Sequence, residues 1–169
     1  MFSQPIFLLT IVSNFLAFGL LAAWFAVPAL RRLPRVQALT LLIFPHVFRT
    51  VGLVFVVPQV VDGRLPTDFT IPASAGDLLA VFLAFVALVA LRGRWRSALP
   101  LVWLFNLAGT ADLTFAYVAG ARFHFPDYQV GVAWFIPALY VPFLFITHGL
   151  IFWLLVRRHT AVVTDIPQS

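Results

Sequence analysis

The sequence predicts an all-α integral membrane bundle of five transmembrane helices, with the N-terminus outside and the C-terminus in the cytoplasm, on three observations. The first is composition: 62% of the 169 residues are hydrophobic, 10% are charged, and the mean hydropathy is +1.00. Such a chain holds more apolar side chain than an aqueous globule of this size buries, so its outer surface is expected to face lipid. The second is the presence of five apolar stretches, each able to cross a hydrocarbon core of about 30 Å at about 1.5 Å per residue. The third is charge placement, because the basic residues gather in short clusters at the ends of those stretches.

Pro5 to Leu30 forms the first stretch. No charge lies in it or before it, and Arg31-Arg32 follows it, so it lacks the basic start of a secretory signal and is read as a retained helix. Val36 to Val57 is the second and carries Pro45, His46 and Arg49. The third, Ala73 to Leu91, is expected to open at Pro72, because proline suits a first helical turn. Asp77 would then lie close to a helix N-terminus, where an acid is favourable without any partner. Ala98 to Ala119 is the fourth, with Asn106, the small run Ala108-Gly109-Thr110-Ala111 and then Asp112. Gly131 to Val156 is the fifth, with Pro137, Pro142 and His148. Residues 1–159 are thus expected to be one five-helix domain, and residues 160–169 a short cytoplasmic tail.

Eight arginines, at positions 31, 32, 35, 92, 94, 96, 157 and 158, fall on one side of this arrangement, against Arg64 and Arg122 on the other. Positive charge favours the cytoplasmic side, which gives the orientation. A multi-pass membrane protein is expected, in contact with the lipid bilayer. The net charge of +5 comes from these end clusters, so nucleic acid is not an expected partner.

The chain has no cysteine, which excludes disulfides, thiolate metal sites and cysteine nucleophiles. It also lacks His-Glu-x-x-His and Gly-x-Ser-x-Gly, so an enzyme ranks last among the readings.

Arg49 is the most informative residue. A charge near mid-membrane costs about 2.5–3.5 kcal/mol on insertion scales, so it is expected to face the bundle interior with a partner. Counting residues from the predicted boundaries places Asp77 and Asp112 in the same layer as Arg49, and His46, Asn106 and His148 in a second layer nearer the basic side. His46 and Arg49 are three apart and share one helix face. Pro45, Pro137 and Pro142 release the carbonyls of Leu41, Ala133 and Ala138 and are expected to open space between the second and fifth helices.

Three functions follow as expectations. One is a non-enzymatic bundle that binds or passes a small ligand at a buried site of Arg49, Asp77, Asp112 and Asn106. Another is a b-type haem protein with His46 and His148 as axial ligands. The last is an accessory subunit of a larger membrane complex, or a homo-oligomer. A purely structural ion pair that fixes helix register competes with the first.

His46, Phe48, Arg49 and Gly52, followed by Leu65, Pro66, Phe69, Pro72, Ala73, Gly76 and Asp77, resemble a group of small bacterial multi-pass membrane proteins of unassigned function. The resemblance covers about a fifth of the chain and implies an inner-membrane location. Five spans also invite comparison with the tryptophan-rich sensory proteins, whose Trp- and Pro-rich loop pattern is missing here.

Overall fold

A computed structural model describes residues 3–157; Arg158, His159 and the predicted tail lie outside the described residues. Among the described residues, five helices are long and apolar enough to cross a membrane: α1 (Gln4–Arg31), α2 (Arg35–Val56), α3 (Thr67–Arg92), α4 (Ala98–Arg122) and α5 (Gly131–Val156). They run alternately up and down. Helix α2 packs along α3, α3 along α4, and α5 meets both α4 and the first half of α2. These four enclose the core, and α1 lies outside them against α5.

Close packing of α3 rests on a stripe of buried alanines, Ala80, Ala84, Ala87 and Ala90, whose spacing keeps one side of the helix narrow. Small residues are how helices approach when lipid gives them no hydrophobic reason to associate. At the arginine-rich end they seat Leu39, Ile43, Phe105 and Ile151 in one apolar cluster. A second cluster, with Phe55, Phe69, Phe125 and Ala133, closes the opposite end. Polar side chains occupy the gap between the two.

Connections at the ends are tied by polar contacts. Arg35 Nη2 donates to the Leu155 carbonyl at 2.9 Å, meeting an acceptor left free at the end of α5. The Trp153 ring packs beneath Arg157, 4.2 Å from its centroid. At the other end the Asp62 amide donates to the Gln129 carbonyl, joining the two longer loops. Hydrogen bonds from the Arg64 side chain hold the Asp62 carboxyl at about 2, below its ordinary value.

The predicted start of the third helix is corrected by the structure. Helix α3 begins at Thr67, behind an extended Pro66, and Pro72 lies inside it. Asp68 supplies the acid of the first turn. Pro72 forfeits one hydrogen bond, to the carbonyl of Asp68, but the helix continues because Phe69, Ala73 and Ser74 are already buried on its inner face. Asp77 is therefore ten residues into α3, and the helix N-terminus no longer accounts for it.

The other prolines mark changes of helix type. In α2, α-helix ends at Ile43 and a 3₁₀ run occupies Phe44–Val56. In α5, π-helix at Ile136–Tyr140 leads into α-helix at Val141. The Ala138 carbonyl, released by Pro142, accepts from Asn14 Nδ2 of α1 at 2.8 Å. The Tyr117 hydroxyl donates to the Pro137 carbonyl, and the Tyr140 hydroxyl to the Pro45 carbonyl. The freed Ala138 carbonyl and the carbonyls of two of the prolines themselves thus become points at which helices are joined.

Candidate functional site

The 3₁₀ run in α2 builds the site. It spans thirteen residues, whereas such runs seldom exceed three or four. With about three residues per turn, side chains at i and i+3 eclipse. Its buried residues are His46, Arg49, Gly52 and Phe55, each three after the last. They form one straight column facing the interior. In an α-helix each step of three would drift about 60° around the axis, so the column depends on the 3₁₀ geometry.

Arg49 stands in the middle of that column with its side chain sealed from the surface. Its Nε donates to Asp77 Oδ1 of α3 at 2.8 Å, its Nη2 to Asp112 Oδ2 of α4, and its Nη1 to the Gly109 carbonyl. All three nitrogens of the fork are used. The guanidinium suits this role because it holds two carboxylates in fixed directions, which an ammonium does not.

Two glycines make room for the acids. A Cβ on Gly52 would collide with Asp77 Oδ2, and one on Gly76 would collide with Asp112 Oδ1. Each carboxylate lies on the backbone of the neighbouring helix, with one oxygen on Arg49. No hydrogen bond reaches the second oxygen of either acid among the described residues, yet neither is sealed from the surface. The side chains keep 16% and 12% exposure.

His46, Asn106 and His148 are all buried and lie next to one another toward the arginine-rich end. His148 Nδ1 donates to Asn106 Oδ1 at 2.6 Å, and Asn106 Nδ2 donates to the His148 carbonyl at 3.2 Å. Thr147, which the sequence reading did not single out, spends its hydroxyl proton on the Leu144 carbonyl. It therefore accepts from His46 Nε2 at 3.0 Å. Asn106 belongs to this cluster and makes no hydrogen bond to Arg49, Asp77 or Asp112.

The two layers drawn from the sequence are contiguous in space. Gly109 separates them: its missing Cβ would fall 2.7 Å from the His148 ring and 3.3 Å from Arg49 Nη1. Gly109→Ala should therefore destabilise the bundle, by about 1–3 kcal/mol for overpacking against at most about 1 kcal/mol of gained helix propensity. Unfolding in mixed detergent micelles would read this, and a variant as stable as the parent would contradict it.

The expected haem site does not fit. Two axial imidazoles, each with a metal bond of about 2 Å, hold their nitrogens about 4 Å apart across a porphyrin plane. The His46 and His148 rings instead touch, with centroids 4.2 Å apart, and Phe105 packs on both. Both rings are almost wholly buried, and no slot for a macrocycle separates them.

A cavity of about 580 Å³ lies on the other side of the ion cluster. Arg49, Asp77 and Asp112 form its inner wall. Phe15, Phe55, Leu113, Tyr117, Tyr140 and Phe145 form its sides, and Gln4, His124 and Pro126 mark its end at the longer loops. Helix α1 supplies one wall while packing mainly on α5. Size and lining resemble those of small-molecule sites, mostly apolar with a few convergent polar groups.

Fold and site together define a five-helix bundle with membrane-length spans and a buried Arg–Asp–Asp cluster at the base of an apolar cavity. Residues 6–156 match the family described as "Domain of unknown function (DUF8737)", and the chain belongs to that family. No curated protein and no solved structure matches it.

Proposed function

We propose that this protein is a non-enzymatic membrane bundle that binds or passes a small ligand through the cavity ending on Arg49, Asp77 and Asp112. In this reading it is a multi-pass protein of the bacterial inner membrane, with the N-terminus and the cavity mouth outside and the arginine-rich end in the cytoplasm. One observation carries the proposal: the ion cluster does not close on itself but keeps two carboxylates partly exposed at the end of a cavity of about 580 Å³. A purely structural ion pair needs no such space beside it, and close-packed interiors seldom leave it.

The chain has no cysteine, so a single introduced thiol reports access to the cavity. Ala116→Cys, on the cavity wall, should react with a neutral maleimide in the purified, detergent-solubilised protein. Ala84→Cys, fully buried in the core, should not. If the two thiols are equally inert, the cavity is closed and the proposal fails.

A further inference from the structure

We infer that the occupant of this cavity is a protonated amine on an apolar body, a class of ligand that deepens the preceding proposal and rests on its reading of the cavity as a binding site. Charge count comes first. Two carboxylates share one guanidinium, so the ionised cluster carries one surplus negative charge. Placement gives that surplus a direction. Arg49 is sealed behind the acids, its three nitrogens already committed to Asp77, Asp112 and the Gly109 carbonyl, whereas both carboxylates retain exposure. An anion entering the cavity would meet the acids before the arginine.

The unused oxygens, Asp77 Oδ2 and Asp112 Oδ1, are acceptors without donors. An ammonium supplies both what is missing in charge and what is missing in hydrogen bonds. The walls complete the match. Phe15, Phe55, Tyr117 and Tyr140 present aromatic surface along the path to the acids, which favours a cation and an apolar body alike. The amine could arrive from water as a soluble organic cation, or from the bilayer as a cationic amphiphile, and the recognition chemistry is the same.

Ala116→Cys provides the test in the full-length protein. Its thiol is treated with 2-aminoethyl methanethiosulfonate or with the 2-sulfonatoethyl reagent, each rate being normalised to that of a free thiol in solution. Focusing by the surplus charge should make the cationic reagent faster by about tenfold or more. Adding Asp112→Asn leaves one acid to one arginine, and the ratio should fall to near one. Comparing the two reagents on Ala116→Cys alone needs no change in the ion cluster, so the test stands even if the Asp112 variant fails to fold. Dodecylammonium should slow the reaction and dodecanol should not. Protection by butylammonium as well would identify water as the source, and protection by the long-chain amine alone would identify the bilayer. A normalised ratio at or below one, or equal protection by dodecanol and dodecylammonium, would overturn the amine assignment. A thiol that still reacts with neutral maleimide in that case leaves the cavity reading intact.

Discussion

Replacing Arg49 with Gln is expected to be the most damaging single substitution in the bundle, costing about 3–5 kcal/mol, because it removes one partner of a buried ion cluster. Glutamine keeps a planar end and two donors but no charge. Asp77 and Asp112, at 16% and 12% exposure, would face each other with no cation between them. Denaturation in mixed detergent micelles measures the loss. A cost below about 0.5 kcal/mol, as for an ordinary surface change, would mean that the cluster does not organise the fold.

Removing both acids should do comparable harm with the opposite sign. Asp77→Asn with Asp112→Asn strands a guanidinium whose side chain has no exposed surface, again at about 3–5 kcal/mol. Either acid changed alone leaves one positive and one negative charge. The single variants should therefore lose only a charge-assisted hydrogen bond, about 1.5–3 kcal/mol. The signature is the ladder itself: the double variant should cost more than either single variant, because it alone leaves the sealed guanidinium with no counter-charge. Single acid variants as damaging as Arg49→Gln would refute the charge account and point to shape instead.

Much of this is legible in the sequence. Five spans follow from hydropathy, and α5 covers the stretch read from the sequence, because lipid imposes one solution on a long apolar segment. The partners of Arg49 could be named because few ionisable groups occur inside the spans, and a buried charge leaves little choice among them. Other features were hidden for physical reasons. Pro72 reads as a helix start, yet burial of Phe69 and Ala73 carries the helix across it. The haem reading came from matched depth, which says nothing about the distance between two rings across a bundle. Gly52, Gly76 and Gly109 act through the side chains they lack, and pattern reading weighs what is present. Gly52 and Gly76 were nonetheless among the residues carrying the family resemblance, and each turns out to hold an acid of the cluster.

The pitch of α2 has a mechanical consequence. At about 2.0 Å per residue, in place of 1.5 Å, thirteen residues of 3₁₀ helix reach about 26 Å where α-helix would reach about 20 Å. Over that longer reach the segment is tied to α3 and α4 through Arg49 and to α5 through the Tyr140 hydroxyl at Pro45. At α pitch the same residues would make a shorter, wider helix, and His46, Gly52 and Phe55 would turn away from the line on which Arg49 meets α3 and α4.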